Sequence, residues 1–276
     1  MSQPAMPDAT QKSVAEALVL EEHDGAVLTL RLNRPERLNA LNVELGRALV
    51  EGLNRAAADG SARVIILTGA GRGFCAGGDL AVLRDARSRN AGHELEGLLR
   101  AGKEIAMAIC TMPQPVIAAV NGPAAGAGMN LALACDLRIA SEQATFGETF
   151  TRMGLFPDFG GTYFLPRIVG VAKAAELFYT AEMISATEAE RLGIVNRVVP
   201  EARFAEETKK FAARVAAGPP MAIRAIKHVL FAAECEKLEH ALDAEIERQV
   251  KCFLSDDCAE GLDAFLAKRE PRFRGN

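Results

Sequence analysis

Two short, almost wholly apolar runs, each emptying into a glycine-rich loop, constrain this chain more than any other feature. Arg63–Thr68 (RVIILT) leads into Gly69-Ala70-Gly71-Arg72-Gly73. Val116–Val120 (VIAAV) leads into Asn121–Gly128 and the apolar run Met129–Ala134. A run that is apolar at every position has no solvent-facing side, so it belongs to a strand covered on both faces. The doubled strand–loop–helix unit predicts an α/β fold with parallel neighbouring strands.

The flanking sequence extends this pattern. Ala26–Leu32 (AVLTLRL) reads as a strand closed by Asn33-Arg34-Pro35. A helix follows: Asn42 is its N-cap, Leu45, Leu49 and Leu53 recur every four residues, and Glu51 can pair with Arg55. Shorter strands are predicted at Leu137–Ala140 and Ile194–Val199. Between them Ser185 and Glu188 form a capping box for a helix that Gly193 ends. After Pro200 helical periodicity takes over, broken at Gly218-Pro219-Pro220 and at Ser255-Asp256-Asp257. The reading is a β/α core over 1–200, with 1–15 as a frayed tail, and a helical region over 201–276. The stripe of Leu238, Leu242 and Ile246 is expected to pack on a neighbouring domain or subunit.

Composition removes several classes of function. The net charge is −4, from 32 basic and 36 acidic residues, and the chain has two Tyr and no Trp. That offers neither a field for a polyanion nor platforms for stacked bases, so no nucleic-acid partner is expected. No apolar run reaches the ~18 residues of a membrane span. The N-terminus places Pro, Asp and Glu where a signal peptide needs basic and apolar residues, so no membrane association and a cytoplasmic location are expected. Six cysteines without a CxxC pair and four scattered histidines without HExxH predict no metal site. Gly71-Arg-Gly73-Phe-Cys-Ala76 fits G-x-G-x-x-A after a strand. The second strand and its acidic residue about 20 positions on, which a nicotinamide cofactor requires, are missing.

The glycines have another use. Loops Phe74–Asp79 and Gly122–Gly128 each lie between a buried strand and a helix, so parallel strands would bring both to one sheet edge. Their backbone N–H groups could then converge on one ligand oxygen as an oxyanion hole. Equally, the glycines could serve only tight turns and close packing. A third segment holds Asp158 among Phe156, Pro157 and Phe159. A carboxylate in apolar surroundings is poorly solvated, which raises its pKa toward the range useful for proton transfer. The competing reading makes Asp158 the N-cap of a helix starting near Gly160-Gly161-Thr162. Glu148 is a second candidate acid, while Asp79 and Asp136 read as structural hydrogen-bond acceptors.

Together, Asn33-Arg-Pro-Glu-Arg-Leu-Asn-Ala-Leu41, Gly73-Phe-Cys-Ala-Gly-Gly-Asp79, Asn121-Gly-Pro-Ala-Ala-Gly-Ala-Gly128, Gly154-Leu-Phe-Pro-Asp-Phe-Gly-Gly161 and Gly261-Leu-Asp-Ala-Phe-Leu-Ala-Lys-Arg269 resemble the crotonase (enoyl-CoA hydratase/isomerase) family. The resemblance implies a spiral of ββα units with a helical C-terminal trimerisation region, assembled as a homotrimer or dimer of trimers. It implies an acyl-CoA thioester substrate, no cofactor beyond its CoA moiety, and a thioester carbonyl held by the N–H groups of Gly78 and Ala127. Ala76, Gly77, Arg37 and Lys268, the last from a neighbouring subunit, are the candidates for holding the CoA moiety.

Departures from the family pattern sharpen the expectation. The two Glu with which hydratases of the family hold water fall on Asn130 and Phe150. Asp158 instead falls where some isomerases place a catalytic Asp. The segments around Asp158 and Lys268 look most like the ring-epoxide isomerases of phenylacetyl-CoA breakdown, which resemble 3,2-enoyl-CoA isomerases. A dehalogenase of the family uses Asp there with supporting Trp and His, but this chain has no Trp and no His in the Leu98–Ile109 helix. The expected activity is a CoA-thioester isomerase with Asp158 as acid and base. The alternatives are an atypical hydratase, using Glu148 or a water held by Asn130, and a non-catalytic acyl-CoA-binding homologue.

Overall fold

The computed structural model describes residues 17–232 and 234–276; the expected tail over 1–15 lies outside them. Strand β1 (Val19–Asp24) turns through Gly25 into antiparallel β2 (Val27–Leu32). The Asn42 side chain accepts the N–H of Leu45 and opens α1 (Val43–Ala58). Next come β3 (Val64–Gly69), α2 (Leu80–Ser88), α3 (Gly92–Thr111), β4 (Val116–Val120), β5 (Ala124–Ala125) and α4 (Ala127–Ala134). They are followed by β6 (Leu137–Ser141), β7 (Thr145–Gly147), α5 (Gly161–Val169), α6 (Val171–Thr180), β8 (Ile184–Ser185), α7 (Ala186–Arg191) and β9 (Arg197–Val199). Four helices close the chain: α8 (Phe204–Ala216), α9 (Pro220–Ala232), α10 (Cys235–Phe253) and α11 (Asp256–Leu266).

The main sheet has the order β1-β2-β3-β4-β6-β9 and is parallel except at β1, while β5, β7 and β8 form a small second sheet. Both faces of β3 are covered, as its sequence demands. Ile65 and Leu67 enter the main core with Leu45, Leu49 and Leu53 of α1. Val64 and Ile66 face the other side, with Ile117, Ile139 and Ala212 and Ala216 of α8. Each fully buried leucine contributes about 1.5–3 kcal/mol of transfer free energy.

Two strands of the main sheet depart from the sequence pattern for physical reasons. β1 has no apolar alternation because it is an edge strand whose last four residues are exposed. β9 is shorter than Ile194–Val199 because the Val195 N–H turns back to the Ala189 carbonyl, leaving the ladder to begin later. The α10 stripe also finds its cover within the chain. Leu238 and Leu242 are buried in the main core with Ile246 packed against it, and Lys103 of α3 pairs with Asp243 at 2.6 Å. Asp136 is structural: it accepts the Val116 N–H at 2.7 Å and pairs with the buried Lys227 of α9 at 2.7 Å. Among the described residues no helix is long and apolar enough to cross a membrane.

Candidate active site

β3 and β4 run in register, Leu67 opposite Ala118 and Thr68 opposite Ala119, so their following loops leave the same sheet edge. Two asparagines shape the first loop. Asn39 donates to the carbonyls of Ala70 and Gly73 at 2.9 and 2.8 Å, and Asn121 donates to that of Gly71 at 3.0 Å. The loops also bind each other: Cys75 N–H donates to Pro123 and Ala125 N–H to Cys75, both at 3.1 Å. This contact leaves no room for side chains. A Cβ at Gly128 would run into the Cys75 carbonyl, and one at Gly77, where φ is +92°, would lie 2.7 Å from the Ala125 carbonyl. Gly128→Ala should therefore cost about 1–3 kcal/mol in urea unfolding; a wild-type midpoint would show that the loops yield freely.

Packing and donor placement are both served by these glycines. Leu41 donates to the Gly77 carbonyl at 2.7 Å and accepts the Asp79 N–H at 2.8 Å, which turns the intervening Gly78 N–H to the opposite side. Ala127 opens α4, where the first N–H groups of a helix have no partner in the preceding turn. Among the described residues no acceptor meets the N–H of Gly78 or of Ala127. Both residues line one cavity of about 270 Å³, with Ala76 and Gly77 on the same wall. The remaining wall is largely apolar, including Leu80, Leu98, Phe150, Met153, Leu155 and Phe265.

Asp158 lines that cavity too, and it is not a helix cap. Gly160 occupies the N-cap position of α5 without a side-chain bond, and the Asp158 main-chain carbonyl accepts the Gly161 N–H at 3.0 Å. The capping is done from α10. Glu245, 1% exposed, accepts the N–H of Gly160 at 2.8 Å, the N–H of Thr162 at 2.9 Å and the Thr162 hydroxyl at 2.5 Å. One turn further along α10, Gln249 donates to Asp158 Oδ2 at 3.1 Å. The turn beyond Asp158 is tight, with Phe159 and Gly160 at φ +53° and +86°. A bulky residue at positive φ costs about 1–3 kcal/mol, which the burial of the Phe159 ring against Gly102 of α3 helps offset.

Burial pushes the Asp158 carboxyl up to about 8, aided by the negative charge of Glu245 and opposed by the Gln249 amide. Asp158 Oδ1 is buried and meets no hydrogen-bond donor. Among the residues lining the cavity Asp158 is the one acid.

The other candidates fall elsewhere. Glu148 is 1% exposed, both its oxygens lack a donor, and it lies outside the cavity wall. Burial, with Asp158 and Glu245 nearby, raises its pKa well above that of an ordinary Glu, opposed by the Asn130 amide. Asn130, fully buried, spends its amide N–H on the Asp158 main-chain carbonyl at 2.8 Å. Asp79 is structural, accepting the guanidinium of Arg34 at 3.0 Å. Arg37 and Lys268 are exposed and lie outside the cavity wall, whereas the exposed Arg152 stands on it. Sequence reasoning missed Arg152, Glu245 and Gln249. The i, i+4 spacing of the last two among apolar α10 positions was the available signal.

The chain matches the model of the enoyl-CoA hydratase/isomerase family over residues 22–276. It belongs to that family. Among relatives in the family, it is 45% identical to a protein of Rhodobacter capsulatus named probable enoyl-CoA hydratase, over 91% of this chain and 94% of that one. It is 40% identical to the 1,2-epoxyphenylacetyl-CoA isomerase of Escherichia coli, over 93% of this chain and 98% of that one. The crystal structure of enoyl-CoA hydratase from Bacillus halodurans superposes with a TM-score of 0.85 at 33% identity, covering 90% of this chain and 99% of that one. The fold is the crotonase fold that the sequence resemblance implies.

Proposed function

We propose that the protein is an acyl-CoA thioester isomerase that moves a double bond through an enolate. The observation that carries this reading is the pairing, in one apolar cavity, of two unengaged N–H groups with a single carboxyl group. The thioester carbonyl of a 3-enoyl-CoA accepts hydrogen bonds from Gly78 and Ala127. Asp158 takes a proton from C2, the charge moves onto the carbonyl oxygen as a dienolate, and Asp158 returns the proton at C4. The 2-enoyl-CoA leaves and Asp158 is again a carboxylate, so atoms and charge balance. Each oxyanion donor is worth about 2.7–4 kcal/mol in other enzymes, because it acts on charge that develops in the transition state. The apolar wall, Phe150 included, keeps water from the dienolate. Ala76 and Gly77 are the wall residues for the CoA arm, and Arg37 and Lys268, the latter across a subunit boundary of a trimer, take its phosphates.

Hydration is the second reading, favoured by the name of the Rhodobacter relative. It would require Glu148 or Asn130 to activate water, and neither lines the cavity. Proton NMR of a 3-enoyl-CoA and a 2-enoyl-CoA incubated in D2O separates the readings. Interconversion of the two isomers, with deuterium entering at C2 and C4, supports isomerisation. A 3-hydroxyacyl-CoA as the main product overturns it in favour of hydration. Binding without either product favours a non-catalytic acyl-CoA-binding protein.

A further inference from the structure

The side-chain amide of Gln249 makes two hydrogen bonds. Its Oε1 accepts the main-chain N–H of Phe156 at 2.7 Å, and its Nε2 donates to Asp158 Oδ2 at 3.1 Å. The first bond fixes the second, because turning the amide over would set an NH2 group against an N–H and an oxygen against a carboxylate. The side chain is 1% exposed, so water does not compete for either bond. It reaches Asp158 from α10, whose Glu245 grips residues on the far side of Asp158 at Gly160 and Thr162. One face of a C-terminal helix thus holds the chain on both sides of the acid.

We propose that Gln249 is the positioning residue of the reaction, its locked amide fixing the plane of the Asp158 carboxylate and favouring its charged form. This rests on the reading of Asp158 as the base. The groups around Asp158 leave that task to Gln249. Glu245 on α10 and Glu148 after β7 are acids, Asn130 on α4 is spent on the main chain, and Arg152 stands exposed on the cavity wall. Among the described residues Gln249 supplies the hydrogen bond that the Asp158 carboxylate accepts. Without it, burial and the Glu245 charge act unopposed, and the carboxyl, already at about 8, is pushed higher still.

Two variants separate donor from scaffold. Gln249→Glu keeps an oxygen for the Phe156 N–H and replaces the amide donor to Asp158 with a carboxyl that, once ionised, can only accept; Gln249→Leu removes both bonds. The Asp158 carboxyl is followed by carbon-13 NMR titration, assigned by its loss in Asp158→Asn, and isomerisation is followed from pH 5.5 to 9.5. In both variants the Asp158 midpoint should move upward. The rate at pH 7 should fall at least about tenfold, mainly in kcat with KM little changed. An unmoved midpoint in both variants, with rate changes that only track thermal stability, would overturn the proposal. A shifted midpoint in a wild type that does not isomerise would keep Gln249 as the residue holding Asp158 while removing the isomerase reading itself.

Discussion

Asp158→Asn is expected to lower the rate of double-bond migration by about 10²–10⁴-fold, the usual worth of a positioned general acid or base. KM should change little, because Asn keeps the shape of the wall and an oxygen for the Gln249 amide. The wild-type rate should itself depend on pH. With the Asp158 pKa at about 8, kcat/KM rises as pH is raised through that value and levels off above it. Stability runs the other way. Asp158 titrates near 4 in the unfolded chain and at about 8 in the folded one, so between those values the native state holds the extra proton. Folding therefore weakens as pH rises across that window, by at most about 1.4 kcal/mol per unit from this group. The variant lacks this penalty. Its melting temperature relative to wild type should increase between pH 5 and pH 9, read by calorimetry. A constant difference over that range would place Asp158 in a solvated setting and contradict the pH argument for the rate.

Removal of Glu245 should give the largest loss of stability. Glu245→Ala leaves the N–H groups of Gly160 and Thr162 and the Thr162 hydroxyl without their acceptor, with Gly160 buried and Thr162 half-buried. Loss of a helix cap costs about 0.5–2 kcal/mol, and hydrogen bonds to a charged group about 1.5–3 kcal/mol each, without simple additivity. A decrease of about 3 kcal/mol in urea unfolding is the expected result. Isomerisation should fall as well, since the Phe159–Gly160 turn that presents Asp158 loses its anchor. A loss below about 1 kcal/mol would mean that the backbone donors of α5 find other partners.

Much of this architecture could be read from the chain because burial leaves a local imprint. Strands β3 and β4 are apolar along almost their whole length since both faces are covered, and Asn42 and Ser185 mark helix starts by their own side chains. β1 left no such imprint, because an edge strand can carry charges along most of its length. The site was legible where its chemistry is contiguous in sequence. The Gly78 and Ala127 loops and Asp158 among its apolar neighbours stand out in this way, and Gly78, Ala127 and Asp158 line one cavity. The residues that hold Asp158 were not legible. Glu245 and Gln249 lie about 90 positions away on a helix that looks like any amphipathic packing helix, and only the fold brings them to Asp158. The N-cap reading of Asp158 failed for the same reason: a distant carboxylate had taken the cap.

Isomerisation at this site needs one spatial arrangement: a carbonyl oxygen between two N–H groups, with a carboxylate beside the carbons that exchange a proton. A crystal structure with a saturated acyl-CoA bound tests it most directly. The thioester oxygen is expected about 3 Å from the nitrogens of both Gly78 and Ala127, with the Asp158 carboxylate facing C2 and C4. A carbonyl bound away from these nitrogens, or an ordered water at C3 held by Glu148 with Asp158 turned aside, would contradict it.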